Sequence, residues 1–355
     1  MNLDDLRARI NSIDKNILDL LNQRTECALG IGKIKLEHGK PIYSPERETE
    51  IYRQLIKINK GPLPEHALKS IYREIMSSAR GLQKKIVVSY LGPEATFTHE
   101  AARQKFGSEV EYCGAINIGE IFNAVHKGTA DYGVVPVENS IEGAVTHSLD
   151  MFMDSSVQVC DEIILEISHN LLSREKDVKN IKKIYSKAEV FGQCRAWISS
   201  NMPRAELIEA SSTARAALTA SKEKGSAAIA SRLAADLYKL NVIQSDIEDN
   251  QHNVTRFLVI GENYANRTGK DKTSIMFGIK DKVGALYDTL KTFKKNKINL
   301  TKIESRPSKR KAWEYYFFVD FLGHCEDKKV EQALKGLEGS CAFVKILGSY
   351  PAASE

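Results

Sequence analysis

The chain has no apolar run near the roughly 18 residues that a membrane span needs, and its opening, Met1-Asn2-Leu3-Asp4-Asp5, lacks the basic and apolar regions of a secretory signal. It also has no CxxC and no paired Cys/His spacing of the kind that holds zinc. Cys27, Cys113, Cys160, Cys194, Cys325 and Cys341 are scattered, which argues against a zinc site or a disulfide framework and leaves reduced, mostly buried thiols. Internal repeats and low-complexity stretches are missing too. The expectation is a cytoplasmic protein with no membrane association and no metal. What is present is ordinary for a globular chain: 355 residues, 42% hydrophobic and 27% charged, enough for two or three domains. The charge is uneven. Residues 1–85 hold 16 Lys and Arg against 11 Asp and Glu, while the rest is neutral. Small anions, nucleic acid or an acidic surface would each explain the excess.

Residues 3 to about 85 read as all-helical. A long first helix ends near His38-Gly39 and Pro41, a second runs from Pro45 to Lys60, and a third follows Gly61-Pro62-Leu63-Pro64. At about 100° per residue, Leu3, Leu6, Ile10, Ile13, Ile17, Leu20, Leu21, Ala28 and Ile31 form one stripe, with Arg24 and Lys35 inside it. A cation out of water is destabilising unless an anion meets it. The stripe therefore indicates a pocket for a small, multiply negative ligand, or else an internal ion pair or a snorkelling lysine. Arg7 lies at the edge of the stripe, placed to serve a partner chain. Three helices of such unequal length make a poor core alone, so the long helix is expected to pair with its counterpart in a homodimer or higher homo-oligomer.

From Ile86 the pattern changes to short apolar strands alternating with helices, as in 86–91, 132–137 and 256–260, an α/β signature. Gly92-Pro93-Glu94-Ala95-Thr96, Glu138-Asn139-Ser140-Ile141-Glu142-Gly143, Phe191-Gly192-Gln193-Cys194 and Ser211-Ser212-Thr213-Ala214 read as strand ends where a helix begins. Each is an anion-binding candidate, though Ser and Thr at such a place more often serve as ordinary caps. Residues 262–272 are polar and aperiodic, as a linker would be. The remainder reads βαββαβ, a split βαβ plan.

Three resemblances carry the functional expectation. The segments Leu6-Arg7-Ala8-Arg9-Ile10, Gln23-Arg24, Gly32-Lys33-Ile34-Lys35, Glu46-Arg47-Glu48 and Leu82-Gln83 resemble the all-helical chorismate mutases over residues 1–85. That resemblance implies that Arg24, with Arg7 of a second subunit, binds the substrate carboxylates. Lys35 and Gln83 would donate to the ether oxygen, and Glu48 would partner the ring hydroxyl. Arg47 joins the binding set, with Ser44 and Ala79 as outer contacts where an acid and a hydroxyl are usual. Such a pericyclic rearrangement needs no nucleophile, only a folded substrate and stabilised charge on the breaking ether.

Over residues 86–265, Gly92-Pro93, Val135-Pro136-Val137-Glu138-Asn139-Ser140, Gly143, Ser212-Thr213-Ala214 and Asn253-Val254-Thr255-Arg256-Phe257 resemble prephenate dehydratase, a two-lobed domain similar to periplasmic binding proteins. The resemblance implies that Thr255 meets the leaving ring hydroxyl and Arg256 holds a carboxylate. Glu138, Asn139, Ser140, Ser212 and Thr213 would line the cleft. Over 273–350, Gly284-Ala285-Leu286 and Glu304-Ser305-Arg306-Pro307 resemble the α+β, ferredoxin-like ACT domain, in which these motifs bind phenylalanine across a subunit interface. Together they resemble the bifunctional enzymes of phenylalanine biosynthesis. The implied ligands are chorismate, prephenate and inhibitory L-phenylalanine, and neither reaction requires a cofactor or metal. A LysR-type regulator is the rival plan, but it has no C-terminal βαββαβ unit, and its recognition helix exposes its cations. A pure amino-acid sensor would leave Lys35 and Thr255 idle.

Overall fold

The computed structural model describes residues 2–311 and 313–353. Met1 and Ala312, inside the expected domain spans, lie outside the described residues. The chain divides into two compact units, Met1–Ile86 with Lys105–Glu111, and Val87–Gln104 with Tyr112–Glu355.

In the first unit, α1 (Leu3–Glu37) begins at Asn2, whose side chain and that of Asp5 form a reciprocal capping box, and ends at His38 before a left-handed Gly39. α2 (Pro45–Ile58) starts on a proline and α3 (Glu65–Gln83) directly follows one. α3 packs on the C-terminal half of α1 at Gly32, the buried residue of that helix. The N-terminal half of α1 touches little. Leu3, Leu6, Ile10, Ile13, Ile17 and Leu20 are exposed, from 45% at Leu6 to 63% at Leu20. The expected stripe exists, but a single chain does not cover it, and Arg24 and Lys35 are only half-buried. The picture of cations already sunk in a core is corrected accordingly.

In the second unit, the first lobe comprises β1 (Val87–Leu91), α4 (Phe97–Phe106), β2 (Glu111–Ala115), α5 (Ile118–His126), β3 (Tyr132–Asn139), β4 (Gly143–Ala144), α6 (Thr146–Asp154) and β5 (Gln158–Glu166). The chain then builds a second lobe from β6 (Asn170–Ser173), β7 (Lys183–Ser186), α7 (Ala188–Gln193), α8 (Arg195–Asn201), β8 (Glu206–Glu209), α9 (Thr213–Ala220), β9 (Ser226–Ala230), α10 (Arg232–Tyr238) and β10 (Asn241–Gln244). It returns as β11 (Val254–Gly261), which inserts between β3 and β5, antiparallel to both. The sheet orders are β2-β1-β3-β11-β5 and β10-β6-β9-β7-β8. The lobes are thus joined by two crossovers, 167–169 and 245–253, and β11 carries the Thr-Arg-Phe motif straight out of the second one.

The C-terminal part is β12 (Asp271–Ile279), α11 (Ala285–Lys295), β13 (Leu300–Pro307), β14 (Tyr315–Leu322), α12 (Lys328–Ser340) and β15 (Cys341–Pro351), in sheet order β13-β14-β12-β15. This is the expected βαββαβ unit. Its β14 is apolar on both faces except at Asp320, because both faces are covered. Phe317, Val319 and Phe321 pack beneath the helices with Phe293 and Leu337, while Tyr316 and Phe318 join the core of the first lobe with Val135 and Leu258. At the β15–β5 contact the approach is so close that a Cβ on Gly348 would sit 2.0 Å from the Val159 carbonyl oxygen.

Candidate functional sites

In the helical unit, Gly32 brings α1 against Gln83. A Cβ at position 32 would lie 2.6 Å from Gln83 Cγ and Oε1. Lys35 is one turn further along the same face, so Lys35 and Gln83 sit on one side of the α1–α3 seam. Lys35 Nζ donates to the Ile42 carbonyl (2.9 Å) and to Ser44 Oγ (2.6 Å), and Gln83 Nε2 donates to the Ala79 carbonyl (3.0 Å). Burial pulls the Lys35 ammonium below the usual lysine range, an effect that nearby Glu46 opposes. Glu48 is gripped by the buried Arg80, which also donates to the Phe106 carbonyl at 2.7 Å. Arg80 escaped the sequence reading because a helical cation next to Gln83 looks like one more surface charge. Arg7 is exposed and pairs with Asp4 at 3.6 Å. Arg47, expected in the binding set, is exposed and pairs with Glu50 at 2.5 Å.

Around Thr255 a connected amide network occupies the junction of the two lobes. Asn139 is the cross-strand partner of Thr255. Its Oδ1 accepts from the Ile141 and Glu142 amides, both at 2.9 Å, which fixes the orientation of the amide. Asn139 Nδ2 therefore faces Thr255 Oγ1 (2.8 Å) and Asn253 Oδ1 (2.7 Å). Asn253 donates to Gln193 Oε1 (3.1 Å), His169 Nε2 lies 2.8 Å from the same oxygen, and Gln193 Nε2 donates to Glu142 (3.0 Å). Burial holds the His169 ring below the usual histidine range, consistent with a neutral ring donating from Nε2. Asn253, Gln193 and His169 were absent from the expected site. The first two lay within quoted motifs; His169, on a crossover, had no local signal.

The other five expected dehydratase residues, Arg256, Glu138, Ser140, Ser212 and Thr213, are engaged in structural contacts. Successive strand residues face opposite sides, and Arg256 points away from Thr255, into ion pairs with Glu162 (2.8 Å) and Asp320 (2.5 Å). Its cross-strand neighbour Glu138 pairs with Lys302 of β13 at 2.8 Å. Ser140 bridges backbone, donating to the His252 carbonyl and accepting from the Val254 amide. Ser212 is the cap of α9, its Oγ accepting from the Arg215 amide at 3.0 Å, and Thr213 is buried in the first turn. The 138–143 stretch leads into the short β4 rather than a helix, and Phe191–Cys194 lies at the α7–α8 break.

In the C-terminal unit Gly284 adopts a left-handed conformation (φ 78°) at the start of α11, with open space where a Cβ would stand. Ala285 is buried and Leu286 half-buried. On β13, Glu304 is half-buried and Ser305 exposed. Arg306 is not open to a ligand: it forms a two-pronged pair with Asp150 of α6 (3.1 and 3.2 Å), to which Lys309 adds a third bond at 2.7 Å.

A helical unit with a cation–amide seam, followed by a two-lobed α/β domain and a βαββαβ unit, defines a multidomain enzyme with two separate candidate sites. Residues 6–84 match the family model of chorismate mutase type II, 88–265 that of prephenate dehydratase, and 273–339 that of the ACT domain. A bifunctional chorismate mutase/prephenate dehydratase of Aquifex aeolicus is 49% identical over 99% of this chain and 98% of its own length. A protein of the same description from Pseudomonas aeruginosa is 43% identical, with the same coverage. Among solved structures, the prephenate dehydratase of Arthrobacter aurescens in complex with L-Phe is 34% identical, covers 76% of this chain and 90% of that one, and has a TM-score of 0.71. The chain belongs to the family of bifunctional chorismate mutase/prephenate dehydratases.

Proposed function

We propose that the α1–α3 seam rearranges chorismate to prephenate, that the Thr255 network converts prephenate to phenylpyruvate with loss of CO₂ and water, and that L-phenylalanine inhibits through the C-terminal unit. The observation that carries the second assignment is the locked Asn139 amide. Because Nδ2 is a donor, Thr255 Oγ1 must accept from it, and the threonine proton is left to point elsewhere. It is then available to the departing ring hydroxyl. As the carboxylate leaves as CO₂, its bonding electrons enter the ring and the hydroxyl departs with the pair from its own C–O bond. Aromatisation drives this loss, so a weak acid held at the hydroxyl suffices.

For the rearrangement, Lys35 and Gln83 are the donors that stabilise charge on the ether oxygen as it develops. An ammonium has three protons, so the bonds to Ile42 and Ser44 leave capacity for a substrate acceptor. Arg24 lies in the stripe, and Arg7 of a second copy completes the carboxylate contacts. The exposed apolar half of α1 supports this homodimer, since six large side chains in line need a cover. Phenylalanine is assigned to the region of Gly284, Ala285, Leu286, Glu304 and Ser305, supported by the open space beside Gly284 and by the L-Phe complex of the related dehydratase. We also place the reactions in the cytoplasm, in keeping with cysteines scattered without the spacing of a disulfide framework.

The test is turnover of chorismate by Lys35→Ala and Thr255→Ala. The first should slow chorismate loss by about 10²-fold or more, the scale of one preorganised donor, while still dehydrating added prephenate. Normal rearrangement by Lys35→Ala would refute its role.

A further inference from the structure

The Thr255 strand is paired in continuous register with β5 from Val254 to Val259, but irregularly with β3. Between Arg256 and Phe257 the β3–β11 pairing shifts register, and Pro136, opposite Phe257, has no N–H to give the ladder. On the far side of the strand, Arg256 meets three acceptors: Glu162 at Nε (2.8 Å), Asp320 at Nη1 (2.5 Å) and the Tyr350 hydroxyl at Nη2 (2.8 Å). Only Glu162 belongs to the dehydratase lobe; Asp320 is on β14 and Tyr350 on β15. Ser274 Oγ lies 2.6 Å from both Asp320 Oδ1 and the Tyr350 hydroxyl, and Lys272 donates to Glu162 at 2.8 Å. Two cations and two carboxylates balance, the polar groups bond to one another, and Tyr350 is fully buried. A buried ionic cluster with this geometry fixes one arrangement, because removing one member strands the charge of another.

We propose that Arg256 is a positioning residue of the dehydration step, through which Asp320 and Tyr350 of the C-terminal sheet set the placement of Thr255. This rests on the dehydratase reading of Thr255. Arg256 touches no substrate, so the cluster acts on the transition state through the aim of the Thr255 hydroxyl and leaves binding largely alone. The same clamp ties the C-terminal sheet directly to the residue that follows Thr255.

The experiment is steady-state dehydration of prephenate by the full-length protein and by Tyr350→Phe, Asp320→Asn and Arg256→Lys, with and without phenylalanine. Thermal unfolding of each variant identifies those that fold. Tyr350→Phe removes a single hydroxyl and is the mildest perturbation. The expected result is a kcat lowered about tenfold or more with KM within about twofold, the signature of an interaction that acts only in the transition state. A changed half-inhibiting concentration of phenylalanine should accompany it. If folded Tyr350→Phe and Asp320→Asn keep the parent kcat, the positioning role is overturned while the dehydratase reading stands. A raised KM at unchanged kcat in Arg256→Lys overturns it in favour of direct carboxylate binding. If the parent protein forms no phenylpyruvate from prephenate, the dehydratase reading fails, and the positioning role with it.

Discussion

A threonine hydroxyl is a poor acid, and Thr255 can serve a departing hydroxyl only if its proton is aimed. The aim comes from Asn139, itself locked by two backbone amides. Asn139→Ala is therefore expected to lower dehydratase kcat by about 10²-fold, the cost of losing one preorganised group, with the mutase rate unchanged; product formation from prephenate and from chorismate checks both. A second residue-scale expectation concerns pH. Burial pushes His99 down to about 4, with Arg103 adding to the effect. The unfolded ring takes a proton near 6.5 and the folded one does not, so stability is full above about 6.5 and declines as pH falls toward 4. Replacing His99 with Gln should flatten that part of the profile of unfolding midpoint against pH. Much at this scale was legible. Thr255, Asn139, Lys35 and Gln83 stand in recognisable segments. Strand alternation alone should have separated Arg256 from Thr255, but what lies on the far face is set by residues more than 60 positions away.

Elements rather than residues decide how closely these groups are held. Gly32 lets α3 lie on α1 with Gln83 in contact, so Gly32→Ala is expected to displace the Gln83 side chain and lower mutase turnover about tenfold, the scale of a misplaced donor, leaving dehydration of prephenate intact. Gly348→Ala places a methyl against the backbone of β5 and should lower the unfolding free energy by about 1–3 kcal/mol, as overpacking does; denaturant unfolding measures it. The periodic elements were the readable ones. His38-Gly39 marks the observed end of α1 and Pro45 the start of α2, and the βαββαβ order is as the pattern implies. The 138–143 stretch was misread as a helix start because Asn, Ser and Gly serve hairpins as readily as caps. Arg306 looked like a ligand residue because nothing local indicates Asp150 as its partner.

For the whole molecule, the central physical fact is the uncovered stripe of α1, with all of the chain's net positive charge in the segment that contains it. In the proposed dimer a second copy would cover the stripe and would bring Arg7 to the site of Arg24 and Lys35. Sedimentation should then give a mass of at least twice 39.7 kDa, and Ile13→Glu should abolish mutase turnover while dehydration persists. A single-chain mass at concentrations where the mutase is active would contradict the pairing. Rearrangement and dehydration are divided between two sites, and chorismate turnover by Thr255→Ala separates them. Chorismate should disappear at the parent rate while prephenate accumulates with almost no phenylpyruvate. Phenylpyruvate formed at the parent rate would contradict that division.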